Sequence, residues 1–533
     1  MRKKQLILPI VISLLIILSF ITLNSVYANT INVMQVSGDG IQEYLTKPCG
    51  WHYEGTYNRT YFTYTDGDGS SDWLIRYYDH DTDTFSSETY LGNWGGGEDD
   101  HVAPSLVIND TGYIFVFMCG HSNNYIKLRI SSLPEQIAFF ESPATIYSGR
   151  ASYPKPWIME NGTMAVSWRG RTDTSCQGIA YSYDNGSTWD SSWLTENAAY
   201  AQIYQEEEDN DYIHFVYTDP VITGDFRKDL YYMYSDDGGY SWYNSDDDSV
   251  TIPASWTDMT KCWDEEQVRQ LDFYSNSSHN AHILANGDLG NANDTIPLFH
   301  IWYNGTGWES EQLPIWQDVF RTHVTHDYTN GACFDHDDWR VVYAGYKNGT
   351  GNDADVKVIF YNETTGEWEH GADVTTGGSN CKVRPMPIRN PSSEIAFTFA
   401  DGTYTTYTSY NTDLNCGSQF IIGGGGGSPP TPDDETQFQT INDKTNNSVI
   451  CTPSRYFNWS KIDDVNLECY DLQIANDSDF TSVFVNLTDV NETNYGINYT
   501  EKGNYVEFIL PYAYNISYYG EHHYRVRARY YGS

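Results

Sequence analysis

The sequence predicts an all-β chain: a seven-bladed β-propeller followed by a small β-sandwich. Three observations carry this. First, the stretches Ser182-Tyr183-Asp184-Asn185-Gly186-Ser187-Thr188-Trp189 and Ser235-Asp236-Asp237-Gly238-Gly239-Tyr240-Ser241-Trp242 both read S-x-D-x-G-x-x-W, with their tryptophans 53 residues apart. In such a stretch the Ser and Asp can hydrogen-bond the backbone of a hairpin tip, the Gly supplies a positive φ, and the Trp folds back over the turn. Second, looser copies run from Tyr77 to Phe85, Trp302 to Trp308 and Phe360 to Trp368, so that seven units of about 50 residues fill Cys49 to Ile422. That is the size of a four-stranded blade, and the propeller is expected to close by pairing N-terminal with C-terminal strands. Third, helical periodicity is almost absent, while short alternating runs such as Tyr212-Ile213-His214-Phe215-Val216-Tyr217 read as strands.

The elements follow in order. Residues 1–28 combine Met1-Arg2-Lys3-Lys4, an apolar run from Leu6 to Leu23 and the small-residue end Val26-Tyr27-Ala28, the pattern of a signal peptide or, given its length, an N-terminal anchor. Residues 29–422 form the propeller. Residues 423–434 are a Gly/Pro linker, flexible at Gly423–Gly427 and stiff at Pro429-Pro430-Thr431-Pro432. Residues 435–533 read as strands again, with Trp459 expected on the second strand and Tyr524 on the sixth, and the chain ends where a seventh is expected. That order resembles a fibronectin type III sandwich.

Composition excludes some functions. The chain carries 72 acidic and 30 basic residues, a net charge of −42 and a pI near 4.4, which argues against nucleic-acid binding. An anionic ligand must therefore find a local basic pocket. Nine cysteines are too few for a disulfide scaffold, and no C-x-x-C suggests a zinc ribbon or redox site. Export makes a few disulfides the expectation. Sequons such as Asn109, Asn161 and Asn304 fit a secreted or cell-surface glycoprotein.

In a propeller the innermost strand of each blade lines the axis, so residues at equivalent strand ends of successive blades converge. Glu98-Asp99-Asp100-His101 and Cys119-Gly120-His121-Ser122 flank one such strand unit. Ala151-Ser152-Tyr153-Pro154 and Ser167-Trp168-Arg169-Gly170 flank the next, and Ala199-Tyr200 and Ile213-His214 the one after. Two of these histidines, the two tyrosines and the arginine would make an acid–base set with a cation. Arg150, Lys155, Arg171, Arg227 and Lys228 sit near the same strand ends. The bland readings are that each histidine bonds a neighbouring blade, that Tyr153 only packs, and that Arg169 pairs with Asp99 or Asp100.

The S-x-D-x-G-x-x-W stretches resemble the Asp-box of the bacterial neuraminidase repeat of sialidase-like propellers, a folding motif without chemistry of its own. From Tyr61 to Trp242 the order D-D-H, G-H, S-Y-P, aromatic-Arg-Gly, A-Y and I-H is similar to the propeller-type ulvan lyases, polysaccharide lyase families 24 and 25. Val102 and Ser122 depart from the group's pattern. The resemblance implies β-elimination at a uronic acid. Arg169 would neutralise the carboxylate, His101 or His121 would abstract the C5 proton or assist, and Tyr153 would act as base or as acid to the leaving oxygen. Tyr200, His214, Arg150 and Arg171 would bind substrate. The implied partner is an anionic polysaccharide, with cell-surface attachment and a monomeric chain expected, and no cofactor is required.

Two other readings stay open, a sialidase-like glycoside hydrolase and a non-catalytic carbohydrate-binding propeller. The hydrolase reading lacks an R-I-P-type arginine motif. Structural calcium could sit in Asp66-Gly67-Asp68-Gly69-Ser70-Ser71-Asp72, and structural zinc among His279, His282, His323, His326 and His336. A polar hairpin is the commoner account of the first.

Overall fold

The computed structural model describes residues 31–422, apart from several short segments that include 171–175 and 220–226, together with the strands between 447 and 530. The proposed leader and linker lie outside the described residues, as does the centre of the Asp66–Asp72 stretch. Contacts divide the chain into two compact units, Met1–Gly426 and Gly427–Ser533.

The first unit is a succession of antiparallel meanders. Gly50–Glu54, Asn58–Thr65 and Asp72–Asp79 form the first with the outer strands Thr84–Phe85 and Thr89–Asn93. Ser105–Ile108, Ile114–Met118, Ile126–Ile130 and Ala144–Tyr147 form the second. Ala151–Ile158, Met164–Gly170, Cys176–Ser182 and Asp190–Trp193 form the third. The fourth begins with Ala201–Gln205, Ile213–Asp219 and Lys228–Ser235, and the fifth with Arg269–Ser275, Ala281–Asn286 and Thr295–Tyr303. The sixth begins with Ala332–Asp335 and Asp338–Lys347, and the seventh is Cys381–Ser392, Ile395–Thr406 and Ser409–Gly417. Val33–Ser37 then pairs antiparallel with Ser409–Gly417, Val33 opposite Gly417. The first of the described strands thus completes the last meander, and the unit is a β-propeller.

Each sheet is covered on both faces by its neighbours, so its middle strands are buried on both faces rather than alternately. Ile114–Met118 is buried at every position. Trp51, Trp73, Phe115, Phe117 and Trp168 fill one inter-sheet core, each ring contributing on the order of 1.5–3 kcal/mol by leaving water.

The two S-x-D-x-G-x-x-W stretches fold alike. Gly186 N donates to Ser182 Oγ at 2.8 Å and Gly239 N to Ser235 Oγ at 2.7 Å. Thr188 N and Ser241 N each donate to the Asp carboxylate at 2.8 Å. Trp189 and Trp242 each cap their own turn by donating Nε1–H to the glycine carbonyl. The spacing lengthens after Trp242 because Lys228–Ser235 also pairs with an added strand, Thr260–Glu266.

Cys49, Cys119, Cys176, Cys262, Cys333, Cys381 and Cys416 are buried thiols, correcting the expectation of disulfides in this unit. They sit where small apolar groups fill the space between sheets.

The second unit has two sheets, one ordered Asn447–Cys451, His522–Tyr530, Leu467–Ala475, Val483–Val490 and the other Tyr456–Ser460, Tyr505–Ile509, Tyr499–Lys502. Among the described strands of this unit Trp459 is on the second, as expected, but Tyr524 is on the seventh rather than the sixth. The two short strands Tyr499–Lys502 and Tyr505–Ile509 account for the difference, and the first strand pairs with the last.

Candidate active site

Two inner-strand starts and the ends of the strands beside them position the candidate residues. Asp99 caps a single 3-10 turn, Asp100–Val102, by accepting His101 N–H at 3.0 Å, and the turn leads into Ser105–Ile108. His121 follows the strand beside it, in a turn where Ser122 takes φ +53° and donates its N–H to Ser152 Oγ at 2.7 Å. Tyr153 lies in a bulge. Ser152 faces Arg169 and Lys155 faces Ser167, so two residues oppose one, and Tyr153 is held at φ +59°. A left-handed backbone costs a tyrosine on the order of 1–3 kcal/mol, and bulges re-aim side chains in this way. The register also sets Arg169 beside the bulge.

The side chains meet. The His101 and His121 rings stack at 4.3 Å and 12°, and Tyr153 lies 5.8 and 6.3 Å from them. The Arg169 guanidinium sits 4.7 Å from the centre of the Tyr153 ring and 4.9 Å from that of Tyr200. Arg227 and Arg269 also lie over Tyr200, at 3.9 and 4.4 Å. In a chain of net charge −42, three guanidiniums on one ring make a local anion-attracting surface.

Carboxylates hold the histidines from behind. Asp99 accepts from His101 Nδ1 at 2.6 Å and from His121 Nδ1 at 2.9 Å. Asp100 Oδ1 is 3.1 Å from His101 Nδ1, and Asp100 Oδ2 is held by Arg384 at 2.7 Å and by the Tyr404 hydroxyl at 2.8 Å. Both Nε2 atoms are thereby aimed away from the carboxylates. Burial alone would pull the His101 imidazolium toward neutrality, but Asp100 and Asp99 outweigh it and raise its pKa to about 10. Burial likewise opposes ionisation of the two acids, and their cationic partners hold both below the usual carboxylate range. Asp99, His101 and His121 offer donor atoms within 4.8 Å of one another, close enough to share a cation. At 2.6 and 2.9 Å the Nδ1–Oδ pairs are spaced as hydrogen bonds.

A raised imidazole pKa adds stability that is fully present below the unfolded value near 6.5 and is lost as pH rises towards 10. The thermal midpoint of the protein should therefore fall by several degrees between about pH 6.5 and 9.5, and this fall should flatten in His101→Gln. Parallel curves for the two proteins would mean that His101 is not charged in the fold.

The other candidates separate. Tyr200 joins the cluster. Arg150 is exposed, and no contact places it there, while Arg171 lies outside the described residues. His214 is a correction. It pairs across from Tyr204 and bonds Glu206 Oε1 and the Tyr232 hydroxyl at 2.8 and 2.7 Å, a fully buried network of its own. Asp99 and Asp100 serve the histidines and Arg384 rather than Arg169. The proposed histidine metal set is also dispersed: His279 bonds Glu206, His282 bonds His300, and His336 bonds Asp272, whereas His323 and His326 lie outside the described residues.

Arg269, Arg384 and Tyr404 were not singled out by the sequence reading. Arg384 carried a signal: Tyr153-Pro154-Lys155-Pro156 and Arg384-Pro385-Met386-Pro387 are the same x-P-x-P pattern on two inner strands. Both first residues adopt positive φ, +59° and +62°, at a register shift.

Similar proteins fit this architecture. A solved polysaccharide lyase of family PL25, an ulvan lyase bound to -[GlcA(1-4)Rha3S]-, is similar in fold with a TM-score of 0.57 at 16% identity, over 72% of this chain and 95% of that one. The polysaccharide lyase Uly1 aligns with a TM-score of 0.50 at 11% identity, over 73% and 98%. No curated protein matches the chain in sequence. Residues 59–316, which span the site residues from Asp99 to Arg269 but not Arg384 and Tyr404, match the family described as BNR repeat-containing family member.

Proposed function

We propose that this protein is an exported polysaccharide lyase that cleaves an anionic, uronate-containing polymer by β-elimination at the inner-strand ends of a seven-bladed propeller. The observation that carries the reading is the convergence of His101, His121, Tyr153 and Arg169 beside Tyr200. In β-elimination the proton leaves C5, the C4–O bond breaks, a C4–C5 double bond forms and the departing oxygen takes a proton. Arg169 neutralises the carboxylate, which stabilises the negative charge that develops as C5 loses its proton. His101, kept charged by two carboxylates, is a hydrogen-bond donor rather than a base. Proton abstraction and delivery then fall to Tyr153 and His121, whose side chain is the more open of the two imidazoles at 26% exposure against 3%.

Support for an anionic substrate comes from the uronate-bearing fragment in the PL25 lyase of like fold. The seven successive meanders support seven blades, and the S-x-D-x-G-x-x-W turns support Asp-boxes. Residues 1–28 would act as the export signal, and the two-sheet tail as a fibronectin-like accessory domain of a monomeric secreted or surface protein.

The test is a panel of uronate polymers assayed for the ultraviolet absorbance of an unsaturated product. A rise with at least one polymer is expected. New reducing ends without that absorbance would mean hydrolysis, and binding without any product would establish the non-catalytic propeller instead.

A further inference from the structure

A cleft of about 450 Å³ opens between the fourth and fifth meanders, away from the candidate active site. Its size lies within the range of small-molecule sites. Trp263, Tyr303 and Trp308 line it, the first buried and the other two half-buried. Trp308 is fixed in place: its Nε1–H donates to Ser245 Oγ at 2.9 Å on the facing hairpin, and Tyr232 meets its ring edge-on at 4.8 Å. The Tyr303 hydroxyl reaches the Ser245 carbonyl at 3.3 Å. Half-exposed aromatic faces held rigidly offer apolar area at little entropic cost, with polar groups at their edges.

The rim carries a net negative charge. Asp246, Asp264 and Glu309 line the cleft with a single cation, Lys261, which pairs with Asp264 at 3.5 Å and with Asp229 at 3.0 Å. Carboxylates accept hydrogen bonds from hydroxyl groups and repel other anions. Aromatic faces with acceptors around them suit the C–H face and hydroxyls of an uncharged sugar, and exclude the polyanion proposed for the axial cluster.

We propose that this cleft binds an uncharged glycan segment, independently of whether the axial cluster is catalytic. The full chain would be run through native gels containing xylan, galactomannan or mixed-linkage β-glucan, with a uronate polymer as the charged comparison. Retardation by at least one neutral polymer is expected. Glu309→Gln, at an exposed position, should weaken that binding roughly tenfold, and Trp308→Ala should weaken it further. Should Trp308→Ala lose its folded transition, Asp264→Asn takes its place in the comparison. The proposal is overturned if no neutral polymer retards the protein, if only the uronate polymer does, or if retardation is unchanged by Glu309→Gln together with Asp264→Asn.

Discussion

Replacing Arg169 by alanine is expected to reduce lyase turnover by at least about 1,000-fold while leaving the protein folded. The expectation follows from where negative charge develops. Loss of the C5 proton pushes charge onto the carboxylate, and a guanidinium in contact with that group stabilises the transition state more than the ground state. The structural loss is smaller. Arg169 gives up contacts with the Tyr153 and Tyr200 rings, worth about 0.5–2 kcal/mol each by cation–π attraction. The measurement is the initial rate of product absorbance together with the thermal midpoint. Retention of more than about a tenth of the rate would show that Arg169 is not the neutralising group. Arg227 and Arg269 share the Tyr200 ring, so Arg269→Ala in the same assay tells whether the role has passed to a neighbour.

The cluster could be found in the sequence because its members sit at equivalent strand ends of adjacent repeats. The repeat period brings His101, His121, Tyr153 and Arg169 to neighbouring strand ends, while their roles came from the resemblance to the propeller-type lyases. His214 failed the same reasoning because position along a strand matters as well as membership of it. Its register opposite Tyr204 places it four residues, about 13 Å of strand, from Tyr200. Arg384 and Tyr404 come from the last meander, 284 and 304 residues from Asp100, and only ring closure brings them there. The x-P-x-P pattern that Arg384 shares with Tyr153 is a signal the expectations did not use, whereas Arg269 opens an ordinary strand with nothing local to distinguish it. The pairing of each carboxylate was equally out of reach, since Asp99 and Asp100 are adjacent in sequence yet Asp99 bonds both histidines while Asp100 also holds Arg384.

Tyr153→Phe tests the proton chemistry more sharply than any other substitution, because it removes one oxygen and keeps the ring. The ring is what the structure uses. It lies against both imidazoles, Arg169 and Tyr200, and the bulge at φ +59° makes the same backbone demand on phenylalanine. The thermal midpoint should therefore stay near that of the wild-type protein. Turnover should not. If the hydroxyl carries a proton to or from the sugar, its loss costs roughly 100- to 10,000-fold in kcat with little change in KM. His101 cannot substitute as a base while Asp99 and Asp100 keep it charged. His121 can act in only one of the two proton transfers at a time, so the reaction would stall at whichever transfer Tyr153 serves. A Tyr153→Phe protein with full activity would end the assignment of Tyr153 and leave the chemistry to His121 and bound water. A Tyr153→Phe protein that keeps its affinity for the polymer but yields no unsaturated product would fix the hydroxyl in the chemical step, since binding and folding would both have survived its removal.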